Sequence, residues 1–270
     1  MAFFKTSLIS KISLFLVAAM FSVSAMAVDI NQTIRLANQG DAEAQYDLGL
    51  MYYDGEGVYQ DYAKAFEWFE KSANQSSPHA QYNLGVMYFT GRVVRQDYAK
   101  AFEWFEKSAN QGFSYAQDNL GLMYYHGYSV SRNYEKSAEL FQKSASQGYV
   151  EAQSNLGLMY EKGYGVRQDY SKAFDLYRNA ANQGYAEAQH NLGVMYENGN
   201  GVRQDYSKAF DLYQKAANQG YAKSQNNLGV MHIKGDGLPQ SYSTAKDLFE
   251  KSCRNGFQGG CNNYRKLNQR

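Results

Sequence analysis

A nine-residue pattern occurs six times in this chain at a constant spacing. It reads AQYDLGLMY from Ala44 and returns with small changes in five later copies. Its Leu-Gly pair falls at 48, 84, 120, 156, 192 and 228, so each step is 36 residues. A fixed period of about 20 to 50 residues is typical of repeat proteins, in which each unit buries its apolar face against its neighbours. The sequence therefore predicts a stack of similar units.

Each copy predicts two helices. In the first copy, Ala44, Leu48, Met51 and Tyr52 are spaced so that they share one face of a helix. A glycine-rich corner follows, and the second helix begins after a position that always holds a good N-cap residue. These caps are Asp61, Asp97, Asn133, Asp169, Asp205 and Ser241. The second helix ends at a position that is glycine in every copy except at Ser76, which indicates a left-handed C-cap.

Glycine stands inside the first helix of every copy, where it costs about 1 kcal/mol relative to alanine. The six residues are Gly49, Gly85, Gly121, Gly157, Gly193 and Gly229. We expect a close approach at these sites, because the missing Cβ lets a neighbouring helix pack backbone against backbone. The first corner glycine, Gly55 in the first copy, recurs in all copies and predicts a positive φ. The second, Gly57, becomes Val93 and Ser129 in two copies, which predicts a less demanding site.

These features resemble the Sel-one-like repeat (SLR) family, a relative of the tetratricopeptide repeats, whose period is about 34 residues. The alternating helices, the LGxxY pattern, the GxG corner and the 36-residue step carry the resemblance. It implies an all-α fold, a right-handed α/α superhelical solenoid with the first helix of each pair on the concave side. The six helix-turn-helix repeats are 41–76, 77–112, 113–148, 149–184, 185–220 and 221–256, with half-unit caps at 28–40 and 257–270.

The first 27 residues differ from the repeats. Lys5 and Lys11 give a basic start, residues 12–23 form an apolar run, and Ala25-Met26-Ala27 fits a cleavage site. Residues 1–27 therefore predict a secretory signal peptide, and residues 28–270 the mature repeat domain. We expect an exported protein, periplasmic or secreted. We expect no membrane insertion after cleavage, because the apolar run is too short for a transmembrane helix.

The charge and the histidines argue against several partners and cofactors. The formal net charge of +1 becomes −1 if cleavage removes Lys5 and Lys11, so the chain has no strong attraction for nucleic acid. The four histidines lie at four different offsets within the repeat, without cysteine or acidic residues at metal-ligand spacing. The GxG corners lack the preceding strand of a phosphate-binding loop. We therefore expect no metal and no cofactor.

Both cysteines, Cys253 and Cys261, lie in the last unit. Their spacing across a corner resembles the disulfides of the cysteine-rich secreted branch of the SLR family, which implies a Cys253–Cys261 bridge. An even number of cysteines in an exported protein also favours a bridge.

One fragment of an enzyme motif is present. Ser243-Thr244-Ala245-Lys246 is the only S-x-x-K in the chain, and some cysteine-rich SLR proteins are described as penicillin-binding or weakly β-lactamase-like. That enzyme motif requires partners such as S-D-N and K-T-G, and neither occurs here. We therefore expect no catalytic residues. A penicillin-binding or weakly β-lactamase-like enzyme is the alternative, which covalent labelling of Ser243 by a fluorescent penicillin would reveal.

A column of amide side chains gives a stronger signal. The residue before the Leu-Gly pair is Asp47 in the first copy and asparagine in the others, namely Asn83, Asn119, Asn155, Asn191 and Asn227. The family geometry implies that this column lies on the concave face. In related tetratricopeptide repeats the matching asparagine binds the backbone of an extended peptide, and an amide offers both a donor and an acceptor. The alternative is that each asparagine binds the neighbouring repeat and holds the stack.

Two neighbouring positions vary between the copies. With positions numbered by the first repeat, position 46 is aromatic only in the first two copies, and position 53 only in the first three. The N-terminal half of the groove is therefore predicted to be aromatic and the C-terminal half polar. Exposed aromatic side chains make good anchors for a partner, although those at position 53 could instead pack against the corner loops. The candidate anchors are Tyr46, Tyr82, Tyr53, Phe89 and Tyr125.

These patterns predict an exported, monomeric scaffold for protein–protein interaction. We expect its ligand to be an extended peptide or another protein held in the concave groove. A passive structural spacer is the second alternative, and a pull-down that finds no stoichiometric partner would favour it.

Overall fold

A computed structural model describes residues 30–269, so the predicted signal peptide and its cleavage site lie outside the described residues. Within them the chain forms fourteen α-helices and no strand, which confirms the predicted all-α solenoid of two-helix repeats. No helix in residues 30–269 combines the length and the apolar character that a membrane span requires. The helices are α1 (Ile30–Asn38), α2 (Ala42–Asp54), α3 (Tyr62–Asn74), α4 (Pro78–Thr90), α5 (Tyr98–Asn110), α6 (Ser114–His126), α7 (Tyr134–Ser146), α8 (Val150–Lys162), α9 (Tyr170–Asn182), α10 (Ala186–Asn198), α11 (Tyr206–Asn218), α12 (Ala222–Lys234), α13 (Tyr242–Arg254) and α14 (Gln258–Asn268).

The chain divides into two compact units, with the boundary between Ser144 and Ala145. Both units are built in the same way, from first and second helices that alternate and pack on each other within a repeat. The first unit contains α1 to α6 and most of α7, and the second contains α8 to α14.

The caps of the second helices are confirmed. Asp61 Oδ1 accepts hydrogen bonds from the backbone N–H groups of Ala63 and Lys64, each at 3.1 Å. The equivalent side chains from Asp97 to Ser241 accept in the same way, so the cap is chosen for its side-chain oxygen. Each cap satisfies a donor that the helix itself leaves unpaired.

The glycines that end the helices have left-handed backbone, as predicted. Gly55 and its five equivalents follow the first helices with φ between 67° and 78°. The stop after the second helix also has positive φ, including at Ser76, where φ is 69°. At the second corner position Ser129 keeps a positive φ of 59°, against our expectation of a less demanding site, whereas Val93 does not. At Gly201 a Cβ would also lie 2.7 Å from the carbonyl oxygen of Tyr170 in the preceding repeat.

The glycine inside each first helix contacts an aromatic ring, and the predicted contact of backbone against backbone is wrong. A Cβ added to Gly49 would lie 2.6 Å from the ring of Phe69, in the second helix of the same repeat. The same contact recurs in all six repeats at 2.6 to 2.8 Å, with Phe105, Phe141, Tyr177, Tyr213 and Phe249. These rings are nearly inaccessible to solvent, so the glycine makes room for a large aromatic side chain in each repeat core.

Candidate functional site

The predicted amide column is buried in the first unit and partly accessible in the second. Asn83 and Asn119 are 1% and 3% exposed, so they lie in the interior of the first unit. Asn155, Asn191 and Asn227 are half-buried, and Asp47 is exposed. A ligand could therefore reach this position in the second unit and at Asp47.

Two contacts show how members of this column meet the neighbouring repeat. Asn263 Nδ2 donates a 2.8 Å hydrogen bond to Oδ1 of Asn226, which is in the preceding first helix. Asn263 continues the 36-residue spacing into α14, but the repeat pattern is hidden there because Tyr264 and Arg265 replace the Leu-Gly pair that follows. In the first unit Asn83 lies beside the hydroxyl of Tyr46, although the geometry of its amide atoms falls short of a hydrogen bond.

A second amide column, at position 45, holds the repeats together and was also missed. Gln81 Nε2 donates to the backbone oxygen of Ala73 in the preceding repeat at 3.2 Å, and its Oε1 accepts from Gln111 Nε2 at 2.8 Å. The same pair of contacts recurs around Gln45, Gln189 and Gln225. These amides are at most 9% exposed, so they serve packing rather than ligand binding. The signal in the sequence was the glutamine that precedes position 46 in all six copies.

The predicted anchors at position 46 are interior residues. Tyr46 and Tyr82 are 6% and 1% exposed, and the expectation that they form an exposed aromatic surface is therefore wrong. The ring of Tyr82 packs edge-on against Phe113, with 5.4 Å between the ring centres, and Tyr46 lies 5.6 Å from His79. Together these rings form an aromatic cluster inside the first unit.

The predicted anchors at position 53 pack at the corners. Tyr53, Phe89 and Tyr125 each lie 4.9 to 5.3 Å, centre to centre, from the tyrosine that begins the second helix of the same repeat. Phe89 is only 1% exposed, so it is a core residue and cannot anchor a partner without a rearrangement. Tyr53 and Tyr125 are half-buried and keep some accessible ring surface.

In repeats 4 and 5, position 53 holds a glutamate that accepts a hydrogen bond from a buried tyrosine. Tyr177 donates its hydroxyl proton to Glu161 Oε2 at 2.9 Å, and Tyr213 donates to Glu197 Oε2 at 2.6 Å. Burial and the adjacent carboxylates raise the pKa of both tyrosines above their usual value, so both hydroxyls stay protonated and act as donors. The predicted polar half of the groove is thus partly an internal hydrogen-bonding arrangement.

The histidines have structural contacts of their own. His190 is 8% exposed, and its Nδ1 lies 3.0 Å from Ser224 Oγ in the next first helix. Burial, helped by the positive charge of Lys223, lowers the pKa of His190 to about 4. Among residues 30–269 no group of three or more histidine, cysteine or acidic side chains could hold a metal ion.

The serine and lysine of the S-x-x-K fragment are exposed on the first turns of α13. Ser243 Oγ lies 3.3 Å from Ser241 Oγ, the N-cap oxygen of that helix. The Lys246 ammonium group lies 6.0 Å from the ring centre of Tyr264. Ser243 therefore lies at the start of the helix, and Lys246 packs against a ring on the surface.

The predicted disulfide is present. Cys253 and Cys261 are bonded, with their Cα atoms 4.5 Å apart, and the bond connects the end of α13 to the start of α14. This covalent link holds the last helix against the last complete repeat.

The chain matches one family of repeats along most of its length. Six consecutive stretches match the Sel1 repeat, and each begins one residue later than the repeats drawn from the sequence. They are residues 42–77, 78–113, 114–149, 150–185, 186–221 and 222–257. No curated protein matches the chain.

Solved structures show the same similarity. The chain is 37% identical to a protective antigen present in uropathogenic Escherichia coli strains, which displays an SLR fold, with a TM-score of 0.75. That alignment covers 88% of this chain and 51% of the antigen, so the chain spans about half the length of that relative. A Sel1 repeat protein from Oxalobacter formigenes is 33% identical, with 87% and 68% covered and a TM-score of 0.69. The hetero-tetramer Cut9–Hcn1 of the APC/C shares the fold alone. It is 14% identical, with 88% and 46% covered and a TM-score of 0.60.

Proposed function

This chain belongs to the Sel1 repeat family, whose members generally mediate interactions between proteins, and we propose that it is an exported scaffold that binds an extended peptide segment of a partner protein. The proposed binding surface is the face of the first helices that carries Asn155, Asn191 and Asn227. The single observation that carries the proposal is that these amides remain half-buried, and so reachable, in three consecutive repeats.

The spacing of the amides suits an extended chain. Packed helices lie about 8 to 10 Å apart, and α10 contacts α12 directly through His190 and Ser224. An extended peptide advances about 3.3 Å per residue, so one asparagine meets roughly every third residue of the ligand. An amide side chain carries both a donor and an acceptor, which matches the two groups of a peptide unit whatever its side chain. Asn227 Oδ1 accepts from Asn226 Nδ2 at 3.4 Å, so a ligand would exchange this contact for its own.

The side chains that flank the amides differ between repeats and supply selectivity. Residues four before and seven after each asparagine lie on the same helix face. They are Glu151 and Lys162 in α8, Glu187 and Asn198 in α10, and Lys223 and Lys234 in α12. The charge on this face is therefore mixed in α8, negative in α10 and positive in α12. Asn83 and Asn119 belong to the same column, but their burial assigns them to packing.

The test compares the partner affinity of two double variants, each of which replaces two asparagines with alanine. The bait is the mature protein, and its partner is identified by pull-down from a periplasmic extract with mass spectrometry. We expect Asn155→Ala with Asn191→Ala to weaken the affinity for this partner at least about ten-fold, because two amide clamps are lost. The control pair, Asn182→Ala with Asn218→Ala, removes exposed amides from second helices. Equal affinities for the two double variants, at unchanged denaturation midpoints, would contradict the proposed surface.

Export is part of the proposal and has its own measurement. The intact mass of the protein recovered from the periplasm or medium should correspond to a chain that begins at Val28. A recovered chain that retains Lys5 would contradict both the signal peptide and the proposed compartment.

A further inference from the structure

We propose that the last repeat carries a docking site for an acidic peptide segment that inserts one bulky apolar side chain between α12 and α14. This inference rests on the peptide-binding function proposed above and specifies the chemistry of the ligand. It concerns a cleft that neither the amide column nor the predicted aromatic anchors identified.

The cleft has an apolar lining and a positively charged mouth. It encloses about 200 Å³ between Val230, Ile233, Phe249 and Leu267, and Lys234 and Lys266 also line it. Pockets for whole small molecules usually measure about 300 to 1,000 Å³, so a space of this size suits a single side chain of a larger ligand. A second cleft of about 450 Å³ lies next to it and shares Leu267, with Tyr242 and Lys246 on its wall. The two clefts thus form a continuous surface around Leu267.

The sequence of the last repeat explains why the cleft is found here. Position 53 holds an aromatic residue in repeats 1 to 3 and a glutamate in repeats 4 and 5, and these side chains contact neighbours in their own repeats. In repeat 6 it holds Ile233, which has neither a ring nor a carboxylate. Position 66 changes as well, because Lys246 replaces the phenylalanine found in four of the other repeats. Both departures lie on the wall of the paired clefts.

Charge complementarity identifies the occupant. Three lysines, Lys234, Lys246 and Lys266, line the clefts around Leu267. Asp236 partly offsets one of them, since its Oδ2 lies 3.7 Å from Lys234 Nζ. Residues 221–269 contain seven lysine and arginine residues and three aspartate and glutamate residues, so this end of the chain attracts anions. A ligand that fills an apolar space between lysines should carry an apolar side chain with carboxylates on either side.

The disulfide gives the cleft a fixed wall. Leu267 and Lys266 lie near the end of α14, and the Cys253–Cys261 bond connects the start of that helix to α13. A wall that is held in place before binding loses less freedom when the ligand arrives, which favours affinity.

The binding test uses the mature chain and a labelled probe of defined chemistry. The probe is a fluorescein-labelled pentapeptide, Glu-Glu-Phe-Glu-Glu, with blocked ends, and its binding is followed by fluorescence polarisation. We expect saturable binding with a Kd below about 1 mM, and binding at least about ten-fold weaker for peptides with a central serine or with lysine flanks. Binding should weaken as salt rises. No saturable binding, or equal binding of the serine and phenylalanine peptides, would overturn the proposal.

Two variants test whether the probe binds in the cleft. Ile233→Glu puts a carboxylate where repeats 4 and 5 have one, and should weaken the binding of the acidic probe at least about ten-fold. Lys246→Gln with Lys266→Gln changes only exposed side chains, so it tests the site even if Ile233→Glu does not fold. Lys251→Gln, also exposed but outside the cleft lining, is the control and should bind normally. Unchanged affinity in the double lysine variant would overturn the site, whereas the Asn155→Ala and Asn191→Ala experiment judges the wider peptide-binding function separately.

Discussion

Repeats 1 to 3 and repeats 4 and 5 pack an aromatic ring against the glycine of the first helix. The two groups differ in the type of ring and in the residue at position 53. In the first group the ring is phenylalanine, and position 53 holds an aromatic side chain that packs at the corner. In the second group the ring is tyrosine, and position 53 holds a glutamate that accepts its hydroxyl proton. A buried hydroxyl needs a partner, so the two positions must change together.

This difference shows that variation between copies does not by itself mark a binding surface. The change at position 53 from aromatic to acidic follows from the ring beside it, and therefore from packing inside each repeat. Repeat 6 departs from both groups, because its ring is Phe249 and its position 53 is Ile233, and both line the same cleft. The position that neither arrangement explains is the one that lines the proposed docking cleft.

The contact between glycine and ring, common to both groups, should be the most sensitive to substitution. Gly157→Leu and Gly121→Leu should each destabilise the fold by at least about 3 kcal/mol, because even a Cβ would lie 2.8 Å from the ring. Denaturation with urea would measure the free energy of unfolding. Gly184→Ala is the control, since a Cβ there meets nothing within 4 Å and the left-handed φ costs only about 1 kcal/mol. Similar losses for all three variants would refute the close-contact explanation.

The tyrosine–glutamate pair should behave as a coupled unit. Glu197→Ile leaves the Tyr213 hydroxyl buried without its acceptor, and should lower the free energy of unfolding by about 2 kcal/mol. Adding Tyr213→Phe removes the hydroxyl that lacks an acceptor and recreates the combination found in repeat 6, so the double variant should be more stable than Glu197→Ile alone. A double-mutant cycle with additive effects would show that the two positions do not depend on each other.

The reverse exchange in the first unit tests the same rule. Phe105→Tyr adds a hydroxyl to a fully buried ring whose neighbour at position 53 is Phe89, which offers no acceptor. We expect a loss of about 1 to 2 kcal/mol in chemical denaturation. Phe102→Tyr changes a half-buried ring in the same helix and should cost less. If Phe105→Tyr were as stable as the original chain, repeats 1 to 3 could hold either ring.

The two groups also differ at position 46, where repeats 1 and 2 have tyrosine and repeat 5 has His190. Burial lowers the pKa of His190 to about 4 from its ordinary value of 6.5. Between these values the unfolded chain binds more protons, so the stability that His190 contributes is complete above pH 6.5 and is lost as the pH falls toward 4. Between pH 7.5 and pH 5.5 the loss should be about 1 kcal/mol. His190→Asn should remove this part of the pH dependence, whereas His126→Asn, at an exposed site, should retain it.

The sequence by itself determined the architecture of this protein, because the architecture depends on local chemistry repeated at a fixed interval. The helices follow from apolar spacing, their starts from the side-chain oxygens of residues such as Asp61, and their ends from glycines such as Gly55. Each of these signals acts within about one helical turn, so both partners of the interaction lie close together in the sequence and can be recognised there. The disulfide was also predictable, because the chain has only two cysteines and they flank one corner.

Only the tertiary structure decided which repeated residues face the interior. The glutamines at position 45 and the asparagines at position 47 look alike in the sequence, but contacts between residues 30 or more positions apart bury the first set and leave part of the second accessible. In the same way, Tyr82 and Phe89 resemble surface anchors until neighbouring helices cover them. Burial depends on contacts between residues that are distant in the sequence. The 36-residue pattern shows that such contacts repeat, but it does not show which side of each helix they cover.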